Sequence, residues 1–168
     1  MDLSIIILNF NTKRLTLQCI ESVVKSKPKM NYEIVVVDNG STDGSIQALK
    51  NKSSNKIKVV LNKSNLGFAK GVNVGIQFAK GKYILLLNSD CIVTGDAIDR
   101  LYNFAQKQPL AGVIGGALVN RDGTSQGSVY KFPTLLRAMA QYWLGREGIL
   151  DKYSPLGNTP IEVEAVVG

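Results

Sequence analysis

Histidine is absent from the 168 residues of this chain. Without an imidazole, Ser-His and Cys-His nucleophilic catalysis and most zinc sites are excluded, and the chemistry narrows toward carboxylates and amides. Cysteine occurs only at Cys19 and Cys91, one on an expected helix and one just after an expected strand, with neither metal-ligand spacing nor a disulfide framework. Free thiols in a reducing compartment are the expectation. Long apolar runs are missing too. Ile5 to Leu8 is far too short for a signal or membrane helix and has no basic segment ahead of it, which points to a cytoplasmic protein. No internal repeat, low-complexity tract or clear linker is present.

What is present suffices for one core. A hydrophobic content of 45% over this length supports a single domain over 1–168 and is too little for two of ordinary size. The formal charge of +7 is carried by lysines spread along the chain, among them Lys25, Lys29, Lys50, Lys56 and Lys58. That scatter favours a solvated surface over a nucleic-acid-binding stripe, so no nucleic-acid partner is expected. The positive field would attract phosphorylated small molecules or an anionic lipid surface, and it selects neither.

Apolar periodicity divides the chain into alternating strands and helices. Leu3 to Leu8 is a β-branched run ending in Asn9-Phe10-Asn11, followed by a helix over about 13–26 with Thr12 as N-cap and Pro28 beyond its end. Glu33 to Val37 is a second buried strand ending in Asp38 and Asn39, and Ser41 or Thr42 can cap the helix through Ile46 and Leu49. Ile57 to Leu61 is a third strand. The helix from Phe68 to Ala79 carries Gly71 and Gly75, which would let it approach a neighbour closely, and Gly81 stands where a C-cap glycine belongs.

The stretch from Lys82 to Asp90 is the most informative. The apolar run from Tyr83 to Leu87 is too short for an independent helix and reads as a strand buried on both faces. Asn88-Ser89-Asp90 then forms either a ligand-binding strand end or a plain turn or helix cap. A helix from Gly95 to Gln108 follows, then a strand over Val113 to Val119, a hairpin turn at Asp122-Gly123, and a run from Ser125 to Tyr130. Thr134 to Leu144 reads as a helix, 145–160 as a loop, and Ile161 to Val167 as the beginning of another strand. Trp143, with Tyr142 and Leu144, reads as ordinary core or as a contact orphaned by truncation, ahead of a membrane-surface or acceptor contact.

Four strand-helix alternations argue an α/β fold, a Rossmann-like mostly parallel sheet with helices on both faces. The tails at Asn9 to Asn11, Asp38 and Asn39, and Asn88 to Asp90 would then line one crevice at the carboxyl ends of the strands. Two carboxylates, several amides and no histidine suit a nucleotide held through its base and ribose, with a metal neutralising its diphosphate. A dinucleotide fold is disfavoured because Asn9-Phe10-Asn11 stands where G-x-G-x-x-G is required. A phosphate loop is disfavoured because Gly75 to Lys82 has the wrong glycine spacing, lacks the following Ser or Thr, and lies between a helix and a strand in the reverse order.

Four motifs carry a resemblance. Ser4-Ile-Ile-Ile-Leu-Asn-Phe-Asn11, Glu33-Ile-Val-Val-Val-Asp-Asn-Gly-Ser-Thr-Asp43, Asn65-Leu-Gly-Phe-Ala69 and Leu86-Leu-Asn-Ser-Asp90 together resemble the family 2 glycosyltransferases, most of all their rhamnosyltransferase-type members. The match covers about 3–120. The resemblance implies a GT-A fold and an inverting, metal-assisted transfer of a sugar from a UDP- or dTDP-linked donor to a glycan or lipid-linked acceptor. It implies base and ribose contacts at Leu8, Asn9, Phe10, Asn11, Asp38 and Asn39, and a donor-site border at Asn65, Gly67, Lys70 and Asn73. Lys70 reads equally as a solvated helix lysine.

The family's Asp-x-Asp becomes Asn88-Ser89-Asp90 here. Asp90 matches the acid that binds a divalent cation, Mn or Mg, and Asn88 replaces the acid that tends to face the ribose. The resemblance divides the chain into a nucleotide-sugar part, 1–120, and an incomplete acceptor-side part, 121–168, with the general base expected beyond Gly168. Glu162 and Glu164 are no convincing substitutes. A cytoplasmic place is implied, at the inner face of the membrane or free of it. The competing reading is a nucleotide-sugar-binding module without catalysis; a basic nucleic-acid binder is a distant third.

Overall fold

A computed structural model describes residues 1–155 and 159–166. Residues 156–158 of the expected loop, and Val167 at the end of the expected last strand, lie outside the described residues. The chain forms two compact units, Met1–Phe104 and Ala105–Gly168.

The first unit runs β1 (Leu3–Asn9), α1 (Lys13–Ser26), β2 (Tyr32–Asp38), α2 (Ser45–Lys50), β3 (Ile57–Leu61), α3 (Phe68–Phe78), β4 (Tyr83–Leu86), and then α4 (Ala97–Lys107), whose last residues pass into the second unit. The strands form a parallel sheet in the order β3-β2-β1-β4. β1 and β2 are inner strands, so their continuous Ile and Val runs are covered on both faces. On one face Ile5, Ile7, Ile34 and Val36 pack with Cys19, Ile20 and Val23 of α1, Leu49 of α2 and Ile98 of α4. On the other, Ile6, Val35 and Val37 meet Val60 and Val74. Each such side chain, fully buried, stabilises the fold by about 1.5–3 kcal/mol relative to exposure. The expected doubly covered sheet is what forms.

Register places the functional tails level. Asn9 pairs with Asp38, and Asp38 with Leu61, so the strands end together at one edge. α3 lies close against the sheet because two glycines permit it: a Cβ at Gly75 would sit 2.7 Å from Ile6 Cγ2, and one at Gly71 2.6 Å from Leu8 Cδ1.

Several expectations change. β4 is the outer strand of the described sheet rather than a doubly buried one: Tyr83, Leu85 and Leu87 pack inward, whereas Ile84 and Leu86 are 40% and 44% exposed. Gly81 does not cap α3, which ends at Phe78 with Ala79 as C-cap. Gly81 is required instead by close approach, since a Cβ there would lie 2.4 Å from the Ser4 backbone nitrogen. Thr12 occupies the N-cap of α1 without a capping side-chain bond, and Gly44, not Ser41 or Thr42, is the N-cap of α2. The three hydroxyls of Thr12, Ser41 and Ser45 are bonded elsewhere.

The second unit has β5 (Leu118–Val119) and β6 (Ser125–Gln126), antiparallel about the Asp122-Gly123 turn, and β7 (Val129–Tyr130), antiparallel to β8 (Ala165–Val166). The expected strand over Val113 to Val119 shrinks to two residues. Gly115 instead lies directly against Val166, where a Cβ would clash. α5 (Leu135–Tyr142) is capped by Thr134, whose hydroxyl accepts the Arg137 N–H at 3.3 Å. Its polar side is the tethered one: Arg137 bonds Glu164, and Gln141 accepts the Leu150 N–H at 2.8 Å. Tyr142 and Trp143 are 73% and 78% exposed, so the core reading of this cluster does not hold. Among the described residues no helix is long and apolar enough to cross a membrane.

Candidate functional site

The tails of β1 and β2 are joined by buried polar side chains. Asn9, fully buried, donates its amide to Asp38 Oδ2 at 2.6 Å and to Ser41 Oγ at 3.0 Å. Its oxygen accepts the hydroxyls of Thr12 at 2.9 Å and Thr16 at 2.6 Å. Asp38 is equally buried, and its other oxygen accepts the backbone N–H groups of Gly40 at 3.1 Å and Ser41 at 2.9 Å. Gly40, at φ +82°, turns the chain there against the backbone of Ser64, where a Cβ would stand 2.8 Å from its Cα. Burial of this unpaired carboxylate is tolerable because three donors surround it.

Asn39 extends the network to the loop before α3. It donates to Asn65 Oδ1 at 2.8 Å and to the Gly67 carbonyl at 3.3 Å, and accepts Asn62 Nδ2 at 3.0 Å and the Leu66 N–H at 3.1 Å. Asn11 adopts the left-handed conformation, φ 54°, which asparagine tolerates better than most residues. Its backbone N–H donates to Ser41 Oγ at 2.9 Å, and its side-chain oxygen accepts the Thr42 N–H at 2.8 Å.

The β4 tail reaches the same edge. The Thr12 hydroxyl lies 3.3 Å from that of Ser89, and the Leu87 N–H donates to the Ile6 carbonyl at 3.0 Å. Cys19 Sγ and the Cys91 N–H both donate to the Asn88 carbonyl, at 3.5 and 3.1 Å. Burial pushes the Cys19 thiol up to about 12, with the charges of Cys91 and Asp90 adding to it. Cys91 is raised by burial and by Asp90. Asp90 therefore sits where its field reaches both thiols, and its own side chain is exposed.

The sequence-predicted residues thus fall in two tiers. Asn9, Asp38 and Asn39 are buried and hold the tails and loops in place. Leu8 and Ser89 are half-buried, and Phe10, Asn11, Asn65, Gly67, Lys70, Asn73, Asn88 and Asp90 are exposed. Beside Asn11 a depression of about 410 Å³ is lined by Thr12, Lys13, Arg14 and Asp43. Asp43 is held below the usual carboxylate range by the Ser45 hydroxyl and the Lys13 N–H. Ser41, Thr16 and Asn62 were not singled out as site residues from the sequence. Their signal was the density of Ser, Thr and Asn directly after apolar strands.

One divalent cation fits this edge in a restricted way. Both oxygens of Asp38 are engaged by protein donors, so of the two expected carboxylates only Asp90 is available. Among the described residues no three Asp, Glu, Cys or His side chains gather as a metal cage. A single carboxylate suits Mg or Mn that keeps phosphate oxygens and water as its remaining ligands. Glu164 is unsuited to act as a base. Arg137 grips it from both guanidinium nitrogens, at 2.5 and 2.8 Å, and the Phe132 N–H adds a bond at 2.6 Å. These bonds, the Arg137 pair first, lower its pKa to about 2.

Comparison with known proteins agrees with the fold. Residues 4–164 match the family described as Glycosyl transferase family 2. Glycosyltransferase GlyG of Streptococcus pneumoniae is 34% identical over 134 residues, 79% of this chain and 44% of that protein. The poly(ribitol-phosphate) beta-glucosyltransferase of Bacillus spizizenii is 36% identical over 111 residues, 64% of this chain and 18% of its own length. The crystal structure of S. aureus TarS 1-349 in complex with UDP-GlcNAc has a TM-score of 0.57 at 23% identity, covering 71% of this chain and 37% of that one. This chain spans less than half the length of each. The GT-A arrangement that the motifs implied is the one adopted, and with the family match running across both units, the chain belongs to glycosyl transferase family 2.

Proposed function

We propose that the carboxyl edge of the first unit binds a nucleoside diphosphate sugar, UDP- or dTDP-linked, for inverting transfer of a hexosyl or rhamnosyl group to a glycan or lipid-linked acceptor. The observation that carries this reading is the hydrogen-bonded succession Asp38–Asn9–Thr12, with Ser89 3.3 Å beyond. It links three strand tails at one edge and leaves Asp90 exposed beside them. Similarity to S. aureus TarS in complex with UDP-GlcNAc supports the donor class.

In this reading Leu8, Phe10 and Asn11 meet the base and ribose, while Asn9, Asp38 and Asn39 act by positioning. Asn65, Gly67, Lys70 and Asn73 border the donor, Asn88 and Ser89 offer hydroxyl-bonding groups, and Asp90 would hold Mn or Mg. The cation, when bound, neutralises negative charge on the departing diphosphate. The protein's own contribution is orientation, since the buried network leaves the tails little freedom. Residues 1–120 are the donor-binding part in this reading, and 121–168 belong to the acceptor side.

Calorimetry with UDP and dTDP, with and without manganese, followed by a donor-hydrolysis assay, tests the reading. Manganese-strengthened binding that Asp90→Asn removes, with slow hydrolysis of the donor sugar, is the expected result. Absence of binding to either nucleotide would end it. Because Glu164 is held as a carboxylate of very low basicity, the second reading is a binding module without turnover. Binding with no hydrolysis selects that one.

A further inference from the structure

Lysines that are scattered in sequence are gathered in space. When parallel strands are connected by return helices, strand starts and helix ends share one edge. On that edge of the first unit stand Lys27 after α1, Lys29 before β2, Lys56 and Lys58 at the start of β3, and Lys80 and Lys82 before β4. All are exposed. Contacts across the edge bear this out. The Lys82 N–H donates to the Met1 carbonyl at 3.3 Å and the Ile34 N–H to the Lys56 carbonyl at 2.8 Å. Lys56 Nζ lies 4.9 Å over the Tyr32 ring, and Lys58 Nζ 4.3 Å over Phe78 at the end of α3.

The carboxylates at this edge offset part of the field, and the six lysines outnumber them. Glu33 and Asp99 are buried; Glu33 accepts the Ser4 hydroxyl and the Lys80 N–H, and Asp99 accepts the Lys29 N–H. Asp2 accepts the Asn31 N–H, and Glu21 pairs with Lys52 at 3.3 Å. Among the lysines, Met1, Val24 and Phe78 expose 45%, 47% and 39% of their surface. Between Lys27 and Lys56 a groove of about 570 Å³ has Val24, Tyr32, Ile34 and Ile57 along its floor.

We propose that this edge docks the protein on an anionic lipid bilayer, with the lysines on headgroup phosphates and Met1, Val24 and Phe78 at the headgroup boundary. The edge carrying the strand tails and Asp90 then faces away from the lipid. The mixture of side chains selects this partner. Lysines alone would serve a soluble polyanion equally well, but exposed apolar groups set among them gain only where headgroups border hydrocarbon. Lysine is also a point charge suited to a fluid headgroup layer, whereas base-edge readout favours the forked donors of arginine. Each lysine brought to such a surface raises partitioning roughly fivefold. The proposal stands apart from the donor reading, because its test uses no nucleotide.

The full chain is sedimented with phosphatidylcholine vesicles, with and without phosphatidylglycerol, at low and high salt. Binding is expected only to the anionic vesicles and is expected to weaken with salt. The double variant Lys56→Glu with Lys82→Glu should lower the partition coefficient by at least about tenfold. Lys13→Glu with Lys63→Glu, an equal charge change at the opposite edge, should leave most of it. Phe78→Ser should weaken the binding that survives at high salt. Circular dichroism verifies folding, and Lys58→Glu with Lys80→Glu replaces the first pair if that pair unfolds. Equal binding to both vesicles, no binding to either, or equal losses in the two double variants would overturn the proposal. So would duplex DNA that displaces the protein from anionic vesicles.

Discussion

Exchanging the two partners of the Asn9–Asp38 bond tests the network that holds the site together. Asp38 is fully buried; one oxygen takes the Asn9 amide at 2.6 Å and the other takes two backbone N–H groups. Asparagine at position 38 keeps the acceptor for the backbone but turns an NH₂ toward the NH₂ of Asn9. Asn9 is held against turning over, because its oxygen receives the hydroxyls of Thr12 and Thr16. Neutralising the carboxylate relieves a desolvation cost. Against that stand the loss of a charge-assisted bond, about 1.5–3 kcal/mol, and a buried donor left unsatisfied, about 1–3 kcal/mol. The net expectation for Asp38→Asn is a loss of about 2–3 kcal/mol. With a urea slope of about 1–3 kcal/mol per molar, the unfolding midpoint falls by roughly 0.7–3 M. Combining it with Asn9→Asp restores one donor facing one acceptor and should recover at least about half of the loss. An unchanged midpoint in Asp38→Asn, or a double variant equal to the sum of its singles, would refute the argument.

The glycines packed against the sheet should rank by what their new methyl meets. Gly81→Ala, against the Ser4 backbone, should lower the melting temperature most, Gly75→Ala, against the β-branched Ile6 and Val37, should follow at about 1–3 kcal/mol, and Gly71→Ala, against the half-buried Leu8 side chain, should cost least. Glu164 has its folded pKa depressed to about 2, so its stabilisation is present above the unfolded carboxylate value near 4.3 and is lost as pH falls from there through 2. The melting-temperature gap between the parent and Glu164→Gln should therefore close on acidification across that window, and a gap that persists at pH 2 contradicts the Arg137 contact. With Cys19 raised to about 12 and Cys91 raised by burial, a thiol reagent at neutral pH should label Cys91 slowly and Cys19 only in denaturant, as read by mass spectrometry. Rapid labelling of Cys19 in the folded chain would show that α1 opens away from the sheet.

How far the sequence carried this protein depends on what each residue type can reveal without its neighbours. The β-branched runs of β1 and β2, and their polar endings, were legible because an inner parallel strand leaves no other pattern. Five apolar residues give β4 the look of an inner strand, yet Ile84 and Leu86 are exposed. An apolar run looks the same whether one face or two are covered, and only strand order decides. The lysine edge was invisible for the same reason, since topology and not spacing brings Lys29, Lys58 and Lys82 together.

Asp38 and Asp90 show the sharper limit. Both are acids closing an apolar run, and in sequence both look like groups facing a ligand. The turn at Gly40, with the amide of Asn9, surrounds Asp38 with donors and removes it from solvent. Among the described residues no such turn of N–H groups is bonded to Asp90, whose side chain is exposed. A carboxylate's role is set by the donors the backbone turns toward it, which sequence specifies only through the fold. Because one acid is engaged in structure, a cation at this edge would depend on the phosphates of the donor for most of its ligands. Metal affinity should accordingly be weak in the free protein and strengthen when a nucleoside diphosphate is added, and that coupling is the property that distinguishes a one-carboxylate edge from a preformed metal cage.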